Sequence, residues 1–499
     1  MTLRDLTNRL PRATIAGSLD GEIAVLTASS REVVPGCLFA AIRGTTSDGH
    51  RFIPTALEAG ATAILAETAP PLDLPATVTW LHVPDSRSAL AALASAINDD
   101  PWRELIVAGV TGTNGKTTTV FLLHHLMKSG WHRAGLLGTI LVDDGETTAP
   151  ARHTTPGSLE LSALLARMKD HGCRGVAMEV SSHGIHQGRI AAIGFDACVF
   201  TNLTQDHLDY HGTIEEYFQA KAAWFHALAA DPLGKKPVAV INVDDSFGAD
   251  LAQSLQDKMP VLRYGFGVHC DFRANSLRQT ARGMEFELTA KGKSYLVRAP
   301  LIGRFNVYNI VAAITAACAC GIRPRQAVAA MATAPQVPGR MENVGNAGGA
   351  TVFIDYAHTP DALENACRTL KELNPRRLIT VFGCGGDRDR GKRPLMAAAA
   401  ARHSDACVIT SDNPRSEDPL AIIRQIEIGM RGHGHLSIPD RAEAIAYAVK
   451  NALSGDLILI AGKGHETTQQ FATETIDFDD RKHASKALRD RAQFIADNR

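Results

Sequence analysis

The amino-acid sequence predicts an α/β protein of three domains: a small α/β domain, a central P-loop domain on a mostly parallel sheet with an added antiparallel meander, and a C-terminal Rossmann-like open sheet. Three observations carry this. Apolar strand-like runs alternate with Ala- and Leu-rich helical segments along most of the chain. The stretch 105–119, LIVAGVTGTNGKTTT, reads as a buried strand, a Gly-rich turn and a helix start. From Ala350 onward four apolar runs each end in a polar cluster. A length of 499 residues suits about three cores.

Residues 1–102 supply GEIAVLTASS, PGCLFAAI, HRFIPTALEAGATAILAE, TVTWLHV and DSRSALAALASAI, the spacing of βαβ units. Asp99, Asp100 and Pro101 break that pattern and set a boundary. Residues 103–336 continue from the Gly-rich turn through RAGLLGTI, SLELSALLARMKDHG, GVAMEVSSH and FDACVFTNL, the text of a parallel sheet covered on both faces. From Val261 to Pro300 short alternating runs predict the meander, and the helix FNVYNIVAAITAACACG follows. TAPQVPGRMENV reads as a linker. Residues 337–499 then carry TVFID before YAHTP, LITVFG before CGGDRDRGKR, ACVIT before SDNPRSEDP and LILIAG before KGHETTQ. Ligands of open parallel sheets sit beyond the carboxyl ends of the strands, so four such clusters describe one site.

Composition narrows the function classes. With 45% apolar and 21% charged residues and a formal net charge of −1, nothing draws the chain as a whole to nucleic acid or anionic membrane. MTLRDLTNRL has charges where a signal peptide needs an apolar core, and no membrane-length apolar run occurs, so a cytoplasmic enzyme without membrane insertion is expected. Nine scattered cysteines, an odd number, read as free thiols, with Cys318 and Cys320 as small core residues.

The turn Gly112, Thr113, Asn114, Gly115, Lys116, Thr117, Thr118 is a phosphate cradle: backbone N–H groups converge, a lysine adds charge and a threonine hydroxyl can ligate Mg²⁺. The strict pattern is nearly met, but Gly109 stands one residue out of register, where Val110 occupies the expected position. Glu179, closing the strand GVAMEV, is placed like the acid that holds Mg²⁺ beside a P-loop. The runs 181–189 and 202–212 are rich in His and Asp, yet hard oxygen ligands with phosphate suit Mg²⁺ better than zinc. Lys221 alone would read as a solvated helix-face lysine.

Taken together, GTNGKTTT, HTTPGSLEL, EVSSHGIHQGR, NLTQDHLDYHGTIEEYFQAK, FNVYN, PGRME, DYAHTPDAL, GCGGDRDRGKRP, DNPRSEDP and AGKGHE closely resemble the ATP-dependent Mur ligases of peptidoglycan synthesis. The resemblance spans all three inferred domains and is nearest to members that add meso-diaminopimelate to UDP-N-acetylmuramoyl-L-alanyl-D-glutamate. It implies two displacements in series: a substrate carboxylate takes the γ-phosphate of ATP to give an acyl phosphate, and an amine then displaces phosphate. It assigns Lys116 to the β- and γ-phosphates, Thr117 and Glu179 to one Mg²⁺, and His207 to a further metal contact. Lys221 matches a lysine that the family carries as a carbamate, a carboxylate able to reach a second Mg²⁺. Asn306, Arg340 and Asp355 match nucleotide contacts, which implies that the third domain closes over ATP. Thr154, Thr155, Ser181, Gln187 and Arg189 match residues that bind the muramoyl dipeptide. Ser30, Thr45, Thr46 and Ser47 fall at the uridine site, where Ser29 replaces the acid usual in the family. The expected partners are these small molecules alone, and a monomer is expected.

The amino-acid choice rests on Asp412, Asn413, Pro414 and Arg415, with Arg388, Gly462 and Glu466. Arg415 can pair bidentately with the second carboxylate that distinguishes diaminopimelate from lysine, and a buried arginine left unpaired would reject lysine. Two other readings remain at this stage. A folylpolyglutamate synthase would share the loop and central domain but not the domain before it or the DNPR cluster. A non-catalytic P-loop switch would not need the polar strand ends of the third domain.

Overall fold

The computed structural model describes residues 1–44 and 47–498. The chain divides into two compact units, unit 1 comprising 1–273 and 309–327, and unit 2 comprising 274–308 and 328–499.

Unit 1 opens with a five-stranded sheet of β1 (Thr14–Ala16), β2 (Leu26–Thr27), β3 (Leu38–Ala40), β4 (Ala63–Ala66) and β5 (Thr79–His82) in the order β1-β5-β4-β3-β2. All pairs are parallel except β1 with β5. The helix Ser86–Ile97 follows, capped by Asp85, whose carboxylate accepts from Arg87 and Ser88 N–H.

The larger sheet of unit 1 runs β6 (Ile106–Thr111), β7 (Ala134–Leu137), β8 (Leu141–Asp143), β9 (Thr148–Pro150), β10 (Gly175–Glu179), β11 (Ala197–Phe200), β12 (Val238–Asn242) and β13 (Val261–Gly265), in the order β13-β12-β11-β6-β10-β7-β8-β9. β6 lies between β10 and β11, parallel to both, which is why LIVAGV is an unbroken apolar run: both faces are covered. Its Gly109, one residue outside the strict loop pattern, belongs to the strand. A side chain there would meet Trp224 at 2.7 Å and Phe195 at 2.8 Å, so this glycine makes room for an aromatic pair.

The meander starts later than the sequence pattern places it. β13 pairs parallel with β12, its Tyr264 fully buried and donating to Phe200 O, and the first residues of β14 (Phe272–Thr280) also pair parallel with β13. The antiparallel part consists of β14, β15 (Gly283–Ala290) and β16 (Lys293–Ala299), with β15 and β16 antiparallel over their length and alternate residues of β15 buried.

In unit 2 the proposed linker runs into an edge strand, β17 (Glu342–Ala347), antiparallel to β18 (Ala350–Asp355). With β19 (Leu378–Phe382), β20 (Ala406–Ile409), β21 (His435–Ser437) and β22 (Leu457–Ala461), the order is β17-β18-β22-β19-β20-β21, parallel beyond the first pair. The four strands that the sequence ends in polar clusters are therefore neighbours, and their ends converge. Layers of buried aliphatic side chains cover both faces of this sheet. None of the nine cysteines, all of them among the described residues, is joined in a disulfide; Cys320 is buried as expected, whereas Cys318 is half-buried. Among the described residues no helix is long and apolar enough to cross a membrane.

Candidate functional site

In unit 1 the turn leaving β6 is fixed by two glycines with left-handed backbone. Gly112 has φ +141°, and a side chain there would fall on Thr201 Oγ1. Gly115 has φ +84° and would strike Asn309 Oδ1. The helix Lys116–Trp131 then starts without a side-chain cap, so its first N–H groups face the turn, the arrangement that attracts an anion. Lys116 Nζ donates to Gly112 O and Thr113 O, both at 2.8 Å. Asn114 N–H donates to Asn202 Oδ1 (2.9 Å), Asn114 Nδ2 to Thr204 Oγ1 (3.2 Å), and Thr201 Oγ1 to Asn114 O (2.6 Å). Thr118 is buried in the first turn of the helix.

Thr117 Oγ1 donates to Glu179 Oε2 at 3.2 Å, and Glu179 is 1% exposed at the end of β10. Thr139, just past β7, donates to the same carboxylate from its N–H (2.8 Å) and its hydroxyl (3.1 Å). A buried carboxylate ringed by hydroxyls beside a phosphate turn is a hard-oxygen donor set, which fits Mg²⁺. The network continues without a break. Thr139 Oγ1 reaches Thr154 Oγ1 (3.1 Å), Thr155 Oγ1 donates to Glu179 O (2.9 Å) and lies 3.1 Å from Ser181 Oγ, and Arg189 Nη1 donates to Thr155 O (2.6 Å). Gln187 Oε1 accepts from Arg189 Nε and Nη2.

Lys221 is not a solvated helix-face residue. The helix Ile214–Ala230, begun by a Thr213/Glu216 capping box, buries the stripe Tyr217, Lys221, Trp224 against the sheet. Lys221 is 1% exposed; its Nζ donates to Gly112 O (3.2 Å) and lies 4.4 Å from the Tyr217 ring centroid. Burial, and then the neighbouring Lys116, push this ammonium well below the usual lysine range. Tyr217 Oη in turn accepts from Thr113 Oγ1 (3.4 Å), and burial raises its phenol to about 12. His207, with a left-handed backbone, is about half exposed and lies 3.6 Å from Asp206 Oδ2. Its ring stands 5.1 Å from His183 and 6.0 Å from Tyr217, the ring that Lys221 Nζ faces at 4.4 Å.

The uridine candidates are less gathered. Ser30 sits half-buried in a turn and Ser47 is exposed, its carbonyl accepting from Gly44 N–H; Thr45 and Thr46 lie outside the described residues.

Unit 2 holds the other candidates. Asn306 is buried and donates to Ile302 O (2.7 Å). Arg340 lies over the Tyr356 ring, 5.0 Å to its centroid. Asp355, at the end of β18, accepts from Met341 and Ala357 N–H, and burial raises its carboxyl. Beyond β20, Asp412, Asn413 and Pro414 are buried, and Arg415 adopts φ +52° with Nη1 donating to Gly386 O (2.8 Å). Gly462, leaving β22, packs so closely that a side chain would meet Asp412 Oδ2 at 2.6 Å. Asn413 Nδ2 donates to Glu466 Oε2 at 2.8 Å. Arg388 is exposed, its Nη1 donating to Asp387 O.

The sequence reading missed Thr139, Asn202, Thr204, Asn309 and Lys463. Thr139 follows a strand end, the place where a ligand residue is expected. Asn202 and Thr204 stand in a run singled out for its histidines, and Lys463 stands in AGKGHE.

Three family models match this chain: the Mur ligase middle domain over residues 110–317, the Mur ligase glutamate ligase domain over 339–464 and the Mur ligase family catalytic domain over 22–97. A UDP-N-acetylmuramoyl-L-alanyl-D-glutamate--2,6-diaminopimelate ligase of Geobacillus thermodenitrificans (strain NG80-2) is 45% identical over 98% of this chain and all of that protein. One of the same name from Geobacter metallireducens is 43% identical over 98% of this chain and 99% of its own length. A solved structure bearing that enzyme name superposes with a TM-score of 0.74 at 33% identity, covering 98% of this chain and 99% of the other. A Mycobacterium tuberculosis folylpolyglutamate synthase shares the fold, with a TM-score of 0.60 at 21% identity over 74% of this chain and 91% of its own.

Proposed function

This chain belongs to the Mur ligase family, and from that premise we propose that it is the ATP-dependent ligase joining meso-2,6-diaminopimelate to UDP-N-acetylmuramoyl-L-alanyl-D-glutamate. The observation that carries the reading is the unbroken network from Thr117 through Glu179 and Thr139 to Thr154, Thr155, Ser181 and Arg189. It joins a triphosphate cradle to a guanidinium suited to a substrate carboxylate, which is what phosphorylating that carboxylate requires.

In the first step a carboxylate oxygen attacks the γ-phosphorus and ADP leaves; in the second the amine attacks the acyl carbon and phosphate leaves. Lys116 and the N–H groups of the Gly112–Thr118 turn bind and orient the triphosphate. Thr117 and Glu179 would hold one Mg²⁺, His207 would give a further metal contact, and a carbamylated Lys221 would reach a second Mg²⁺. Held by these residues, Mg²⁺ would supply charge neutralisation for the transferring phosphoryl group. Carbamylation of Lys221 is supported by its burial beside a backbone carbonyl and an aromatic ring, since an amine disfavoured as a cation is the form that adds CO₂. Asn306, Arg340 and Asp355 contact the nucleotide, and Ser30 and Ser47 the uridine moiety. Asp412, Asn413, Pro414, Arg415, Arg388, Gly462 and Glu466 select the amino acid. Residues 1–102, 103–336 and 337–499 serve UDP-substrate, ATP and amino acid in turn. The protein works as a cytoplasmic monomer, in keeping with the soluble nucleotide substrates.

The test measures phosphate release that depends on both UDP-muramoyl dipeptide and amino acid, with diaminopimelate and with lysine. Release with diaminopimelate alone is expected, and equal rates with lysine would sink the specificity. Protein exchanged into isotopically labelled bicarbonate should give a carbamate carbonyl resonance that Lys221→Met abolishes.

A further inference from the structure

We propose that Lys463 is a positioning residue for the incoming amino acid, fixing the orientation of Asn413 and the place of Glu466; this deepens the ligase reading and rests on it. Lys463 is fully buried in the turn that leaves β22. The preceding Gly462 leaves no room for a side chain beside Asp412. Its Nζ lies 3.0 Å from Asn413 Oδ1 and 3.2 Å from Glu466 Oε2.

Three contacts decide which way the Asn413 amide faces. Its oxygen accepts from Lys463 and from Gln470 N–H (3.1 Å), and its nitrogen donates to Glu466 Oε2 (2.8 Å). Glu466 spends Oε2 on both of these donors, while its Oε1 has no donor among the described residues and the side chain is 32% exposed. One carboxylate oxygen is thus anchored from within and the other is left to face an ammonium group. Without the lysine, the amide loses one of two donors to its oxygen and the carboxylate loses the cation that anchors it. A hydrogen-bonded network anchored on a buried lysine in this way sets geometry more than stability.

The experiment uses the whole protein with ATP and UDP-muramoyl dipeptide. Hydroxylamine in place of the amino acid attacks the acyl carbon and expels phosphate, giving a hydroxamate that reports the first step alone. Lys463→Met should raise the KM for diaminopimelate roughly 10- to 100-fold, the scale of a lost charged hydrogen bond, with hydroxamate yield and the KM for ATP unchanged. Lys463→Gln keeps N–H donors without the charge and should recover part of the loss. An unchanged KM for diaminopimelate, or hydroxamate yield falling in step with it, overturns the proposal. Wild-type protein that forms no hydroxamate overturns the ligase reading, and the proposal with it.

Discussion

Lys221 in unit 1 and Arg441 in unit 2 are both basic side chains removed from water, at 1% exposure each, and they are held in opposite ways. Arg441 forms a two-pronged pair with Asp480, Nε to Oδ1 at 2.8 Å and Nη2 to Oδ2 at 2.7 Å, and it also donates to Ala461 O and Ser411 O at the ends of β22 and β20. Arg393 repeats the pattern with Glu417. Lys221 has a carbonyl, an aromatic face and a second lysine nearby. Burying a charge is costly unless it is matched, so unit 2 has spent its matched pairs on architecture, while unit 1 leaves a mismatch where chemistry is proposed.

The sharpest test of that contrast is Arg441→Met. Leaving Asp480 buried without its partner should cost about 3–5 kcal/mol in urea unfolding, and Arg441→Met with Asp480→Leu should regain most of it. A single-variant loss below about 1 kcal/mol would break the comparison on the unit 2 side. Next comes Lys221→Met, which should lower amino-acid-dependent phosphate release roughly 10²–10³-fold, the scale of removing one preorganised charge-stabilising group, while the melting temperature holds or rises. If it melted lower instead, the lysine would be structural.

The smallest effect concerns pH. The Arg393 guanidinium holds the Glu417 carboxyl down from an ordinary 4.5 to about 2. A depressed carboxyl stabilises the fold fully above the unfolded value and loses that contribution as pH falls through the folded one. The stability gap between wild type and Glu417→Gln should therefore be constant above about pH 4.5 and shrink towards pH 2. A gap independent of pH over that range would mean that the charge of Glu417 is idle.

The parts legible in the sequence were those written locally. Strand-then-helix alternation gave the parallel sheets, and the strand-end rule gathered Asp355, Asp412 and Gly462 onto neighbouring strands of one sheet. Local periodicity could not give β17, whose pattern is short and Gly-containing, or the pairing partner of β13, because register depends on distant strands. Asn309 became visible only in three dimensions, joined to the Gly115 turn by a contact far apart along the chain, and Thr139, though it follows a strand end, showed its tie to Glu179 only there. The burial of Lys221 is the same kind of fact: its helix is amphipathic either way, and only the sheet says which stripe is inside.

The space left by Gly109 has an optical consequence. Trp224 fills that space, lies one turn beyond Lys221 on the same helix and is 4% exposed, while the chain's other three tryptophans, Trp80, Trp102 and Trp131, sit elsewhere in unit 1. With those three replaced by phenylalanine, the emission of a single indole packed on the strand that leads into the phosphate turn would report that turn filling and emptying during turnover, with no label attached.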